Sequence, residues 1–99
     1  MYLLSADIGG TNSRIQLLEN CRDGRSVGYS AQYRNSGYDD LQSVFRQFLQ
    51  ESALRKPIDA ACIAVAGPVI DGAVKITNLS WAVSERELSR EFKIPAVRL

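Results

Sequence analysis

Apolar and polar positions divide this chain into short extended segments punctuated by two helical stripes. Residues 2–8 read as a strand and residues 14–19 as a second, and a polar connection over 20–25 leads to a third strand over 26–34. In that third segment Val27, Tyr29, Ala31 and Tyr33 alternate with polar neighbours, as on a strand with one wet face. Tyr38, Leu41, Val44, Phe45, Phe48, Leu49 and Ala53 then recur at helical spacing on one face, a pattern that predicts a helix packed on a core. Ser36 followed by Asp39 has the spacing of a capping box, Arg55 and Lys56 are placed to close the last turn, and Pro57 is placed to stop it.

Residues 60–66 are apolar throughout, as in a strand covered on both faces, and they end at Gly67-Pro68, where the chain turns. Asp71-Gly72 between Val69-Ile70 and Ala73-Val74 is a two-residue hairpin signal. Ser84 and Glu87 form a second capping box, with Val83 and Leu88 as its hydrophobic staple, opening a short helix that Pro95 ends. Ala96-Val97-Arg98-Leu99 begins another strand. Three meandering strands followed by crossover helices predict an α/β fold with a mixed sheet, and residues 1–99 make a single domain.

The stretch Asp7-Ile8-Gly9-Gly10-Thr11-Asn12-Ser13-Arg14 changes the picture from architecture to chemistry. It reads as strand, glycine turn, strand. An acidic side chain at the end of the first strand suits a magnesium ion, glycines let backbone N–H groups approach phosphate oxygens, and the Thr11 hydroxyl adds a donor. The same residues also suit a plain hairpin turn that needs positive φ and nothing else. The signal is neither a Walker loop, which needs a Lys-Ser/Thr pair opening a helix, nor a dinucleotide fingerprint, because strand rather than helix follows.

Composition narrows the chemistry. With 45% hydrophobic and 23% charged residues the chain has material for a core, and a formal net charge of +1 of mixed sign gives no field for nucleic acid or an anionic membrane surface. No apolar run approaches a membrane span and no signal peptide is evident, so the expected address is the cytoplasm. The chain has no histidine, which leaves proton transfer to carboxylates. Cys21 falls in the polar connection and Cys62 within the apolar run, where it reads as a small buried hydrophobe.

Three blocks, Asp7-Ile8-Gly9-Gly10-Thr11-Asn12, Ala66-Gly67-Pro68-Val69 and Ile76-Thr77-Asn78-Leu79-Ser80-Trp81, occur in an order that resembles the N-terminal domain of bacterial glucokinases, within the hexokinase and actin-like ATPase superfamily. Related repressor-like sugar kinases often carry Lys where Asn12 stands here, which favours the glucokinase branch; Ser80 departs from the proline common in the family. The resemblance implies a ribonuclease-H-like half of that ATPase fold and an N-terminal small domain. The implied activity is a cytoplasmic glycolytic transferase moving the γ-phosphoryl group of ATP to the 6-hydroxyl of glucose, with Mg²⁺.

By the same resemblance Ala6, Asp7, Ile8, Gly9, Gly10 and Thr11 form the first phosphate loop, with Asp7 orienting the metal, while Gly67, Pro68, Thr77 and Asn78 border the sugar. Trp81 reads as a core anchor. The family's general base is an Asp in an Asn-Asp-Phe type block directly after the next strand, hence just after Leu99, so no catalytic residue is expected among these 99. A kinase of another hexose, an amino sugar such as N-acetylmannosamine or a non-sugar remains open. So does a non-catalytic binding or assembly module, in which the edge strand over 96–99 pairs two copies into a homodimer.

Overall fold

A computed structural model describes residues 1–21, 24–77 and 79–99 of the chain; Arg22, Asp23 and Asn78 lie outside the described residues. Strand β1 (Tyr2–Ile8) pairs antiparallel with β2 (Asn12–Cys21), which pairs antiparallel with β3 (Gly24–Arg34). Both latter strands run further than the sequence predicts, taking in parts of the expected polar connection, including the backbone of Cys21. Helix α1 (Leu41–Ser52) crosses from β3 to β4 (Ala60–Val65), which lies parallel to β1. The chain then makes a separate two-stranded ribbon, β5 (Ala73–Ile76) and β6 (Trp81–Ser84), followed by α2 (Glu85–Phe92) and β7 (Ala96–Arg98), parallel to β4. The main sheet has the order β3-β2-β1-β4-β7.

One face of this sheet carries the core. Leu4, Ala6 and Ile8 of β1, Ile15 and Leu17 of β2, Ala61 and Ile63 of β4 and Val97 of β7 alternate inward and join Leu41, Val44, Phe45 and Phe48 of α1 in one cluster. Phe45 meets Phe92 of α2 with ring centroids 5.6 Å apart, so the two helices pack together. The other face is open. Cys62 and Ala64 are exposed there, and Leu3, Ser5, Leu18, Ala60, Cys62 and Ala96 help line a hollow of 370 Å³. The expectation that residues 60–66 are covered on both sides, with Cys62 buried, is therefore corrected: among the described residues, no helix covers this face.

Other local expectations are also revised. The β2–β3 register shifts at Leu17/Leu18, where Tyr29 and Val27 oppose successive residues and Gly28 is left over. This bulge turns Val27 out of the Tyr29, Ala31, Tyr33 row and leaves it 56% exposed. The cap of α1 is Asp40, which accepts from Ser43 N at 2.8 Å, rather than the Ser36/Asp39 pair, because residues 35–37 are wound into a 3-10 turn. Helix α1 ends earlier than expected, at Ala53 with φ 56, and Arg55 and Lys56 lie beyond it.

The Asp71-Gly72 turn forms as expected, with φ 52 and 73 and reciprocal Ile70–Ala73 backbone bonds. The strand opposite β5, however, is β6, a segment to which the sequence pattern assigns no strand. Ser84 caps α2, and Val83 and Leu88 are both buried, as the staple requires.

Candidate phosphate-binding site

Strands β1, β4 and β7 are parallel, so their C-terminal ends share one rim of the sheet, where open α/β folds bind ligands. The register pairs Ile8 with Val65, which sets the Gly9-Gly10 turn beside the Ala66-Gly67 exit from β4. Two of the sequence blocks, more than fifty positions apart in the chain, are thus neighbours.

The turn itself is tight. Gly9 N donates to Asn12 O at 2.9 Å, closing β1 onto β2. Asp7, Gly9, Gly10, Thr11, Asn12, Arg14 and Gln32 line a cavity of 330 Å³ over it. Asp7 and Arg14 face each other across the ladder, and Arg14 is flanked by Gln32, to whose Oε1 its Nη2 donates over 3.5 Å. A carboxylate on one wall and a guanidinium on the other can hold a cation and an anion side by side. Ala6 and Ile8 point the other way, into the core, so only their backbone borders the rim.

Among the described residues no three His, Cys, Asp or Glu side chains come together as a metal cage. Asp7 is a single carboxylate, which suits Mg²⁺ arriving on phosphates, since that ion takes one or two carboxylates and fills its shell with water and phosphate oxygens.

Beneath the turn, on the core side, lies a polar pair that sequence reasoning missed. Ser13 Oγ donates to Asn35 Oδ1 at 2.5 Å, Asn35 Nδ2 donates to Gly9 O at 2.8 Å, and Asn35 N donates to Thr11 O at 2.8 Å. Gln32 was likewise not singled out, and Arg14 was quoted in the motif without a role, although strand alternation places both on the face of Asp7.

The second group of expected residues lies at a different hollow. Pro68 and Thr77 line a space of 650 Å³ together with Ile70, Val74, Lys75 and Glu87. Gly67 has φ 151, and a Cβ there would sit 3.2 Å from Val74 Cγ2. Asn78 falls outside the described residues. Trp81 is buried in the core.

Fold and cavity together define an α/β domain whose parallel strands end in a polar, glycine-lined pocket. Residues 4–99 match the family model described as glucokinase. A glucokinase of Nostoc sp. is 34% identical over 99 residues, covering 98% of this chain and 29% of the relative. The crystal structure of a glucokinase from an Antarctic psychrotroph superposes with TM-score 0.85 at 33% identity, covering 98% of this chain and 31% of that one. A glucokinase from Balamuthia mandrillaris, solved in complex with glucose, gives TM-score 0.63 at 25% identity, covering 98% and 29%. The chain belongs to the glucokinase family. It spans 29% of the length of the first of these relatives.

Within the described residues no helix is long and apolar enough to cross a membrane.

Proposed function

We propose that this chain is the nucleotide-gripping N-terminal part of an ATP-dependent glucokinase, a cytoplasmic enzyme transferring the γ-phosphoryl group to the 6-hydroxyl of glucose with Mg²⁺. In this reading its architecture is the ribonuclease-H-like half of the hexokinase and actin-like fold. The Gly9 to Thr11 turn lets phosphate oxygens approach its backbone closely, although the Gly9 N–H itself is engaged by Asn12 O; Asp7 faces the metal, and Arg14 balances the anion. Gly67, Pro68, Thr77 and Asn78 border the sugar; a relative solved in complex with glucose supports the sugar as ligand. Phosphoryl transfer asks mainly for alignment and charge neutralisation, plus a residue accepting the hydroxyl proton. By the family resemblance that residue belongs to an Asn-Asp-Phe type block, and no Asn-Asp pair occurs among these 99.

One observation carries the proposal: the hairpin does not require a glycine at position 9. Gly9 lies outside the left-handed region, and a Cβ built on it meets its nearest neighbour, Asn12 O, at 3.4 Å, the near edge of ordinary contact. A plain turn accounts for Gly72, with φ 73, but not for Gly9. Close approach of a ligand to the backbone does account for it. The test is a titration of ¹⁵N-labelled chain with Mg²⁺ and a non-hydrolysable ATP analogue. The expected result is saturable movement of the Gly9 to Asn12 amide resonances; saturable shifts confined elsewhere, or none, overturn the reading.

A further inference from the structure

We infer that the phosphate site continues from β2 onto the edge strand β3, where Arg34 takes a second phosphate group and so makes the site select a polyphosphate chain over a single phosphate. The inference rests on the phosphate reading of the Asp7–Arg14 cavity and extends it to a residue outside the cavity's lining.

The ladder sets the geometry. Arg14 on β2 lies opposite Gln32 on β3, and Asn12 lies opposite Arg34. Residues two apart on a strand share a face, and directly opposed residues do as well. Asn12, Arg14, Gln32 and Arg34 therefore form a square on the open face, in which guanidinium and amide alternate along both strands and across them. All four are exposed. The two arginines stand on a diagonal, where neighbours across an antiparallel pair are roughly 7–8 Å apart, close enough for long side chains to reach a common ligand. Three corners of the square, Asn12, Arg14 and Gln32, already line the 330 Å³ cavity over the glycine turn.

The fold does not neutralise the two cations. Asp7 faces Arg14 across β1 and β2 without an ion pair, and both ion pairs among the described residues belong to Arg46. Each guanidinium has only a neutral amide opposite, which accepts an N–H without cancelling charge, as Gln32 Oε1 does from Arg14 Nη2 over 3.5 Å. Like charges this close repel, and an anion lying between them reverses the sign of the interaction. A guanidinium offers its N–H groups in a fixed fork, so two of them can hold oxygens of successive phosphates along one chain. A single phosphate held at Asp7 and Arg14 has no second group to offer Arg34. The competing account is that Arg34 is only a charge on an edge strand, deterring pairing with another copy.

The test titrates the 99-residue chain with inorganic tripolyphosphate and with orthophosphate, each with Mg²⁺ at constant ionic strength, by calorimetry. The wild type should bind tripolyphosphate at least about tenfold more tightly than orthophosphate. Arg34→Gln should weaken tripolyphosphate by about tenfold and orthophosphate by less than about twofold, and Arg34→Lys should recover part of the loss. Lys56→Gln removes the same charge from an exposed position beyond α1 and should change neither affinity by more than about twofold.

Unchanged tripolyphosphate affinity in Arg34→Gln, equal proportional losses for the two anions, or a loss matched by Lys56→Gln refutes the role of Arg34 alone. Self-association of Arg34→Gln in light scattering, with tripolyphosphate affinity unchanged, gives Arg34 to the edge-strand account instead. Failure of the wild type to bind tripolyphosphate refutes the phosphate reading, and the inference with it.

Discussion

The Tyr33 hydroxyl on β3 donates a hydrogen bond to the Glu51 carboxylate in the last turn of α1, tying the outermost strand to the helix that covers it. Burial of the phenol, then the bond to Glu51 and its negative charge, push the Tyr33 pKa well above the usual phenol range. The folded state therefore keeps a proton that the unfolded state releases near pH ~10. Stability from this group is complete below that pH and falls as pH rises through it. Tyr33→Phe should cost about 0.5–1 kcal/mol at neutral pH and flatten the loss above pH ~10, read from urea midpoints of both proteins across pH.

Asp40 behaves oppositely. The Ser43 hydroxyl, then its backbone N–H and the Arg46 charge, lower its pKa against the opposing effect of burial. Its contribution is present above the unfolded carboxylate pKa of about 4 and is lost as pH falls below it. Asp40→Ala should cost about 1 kcal/mol through the lost cap, whereas Asp40→Asn should keep most of the capping and lose the acid dependence. Circular dichroism melts at neutral and acid pH distinguish the two variants.

Glycine substitutions separate binding from folding. Gly9→Ala should change stability by less than about 0.5 kcal/mol while abolishing binding of a Mg²⁺–ATP analogue. Gly72→Ala should cost about 1–3 kcal/mol, because φ is 73 and the new Cβ would lie 2.7 Å from Glu85 Oε1. Glu85 is not free to yield, since its Oε2 accepts from Leu99 N at 2.9 Å. Chemical denaturation and calorimetric titration together read both effects.

Asp7→Ala should leave the melting temperature of the chain within error, because the side chain is exposed at a strand end. It should weaken the Mg²⁺-dependent part of nucleotide binding by about tenfold. Titrations with and without Mg²⁺ check this, and an undiminished Mg²⁺ effect assigns the metal elsewhere.

Incubated with ATP, Mg²⁺ and glucose, the 99-residue chain should form no glucose 6-phosphate above a protein-free control if, as the family resemblance implies, the proton acceptor is an Asp of an Asn-Asp-Phe type block, since these residues contain no Asn-Asp pair. A dehydrogenase-coupled assay on protein freed of host kinases measures this.

Much of this architecture was legible from the chain. The β1 limits, the α1 stripe, the Asp71-Gly72 turn and the Ser84 cap follow from strong local signals: period, glycine with positive φ, and a side-chain oxygen three residues before an amide. What escaped was set by contacts distant in sequence. Gly28 gives no local sign of the bulge that turns Val27 outward, because a bulge exists only relative to a partner strand. Cys62 looked buried because an unbroken apolar run does not say which of its faces is covered.

At the site, the glycine turn and Asp7 were readable as a motif, but Asn35 was not, being twenty-six positions from the carbonyl it holds. Its one trace is a polar residue continuing the inward row of Tyr33, matched by Ser13 continuing that of Ile15 and Leu17.

Ala60 pairs with both Leu3 and Ala96, and Cys62 with both Ser5 and Arg98, so Arg98 stands on the open face two positions short of the level of Asp7. Two strand spacings, roughly 10 Å, separate them laterally. That distance suits a donor on one lip of a cleft and an acceptor on the other, assembled by nothing more than the shared heading of three short strands.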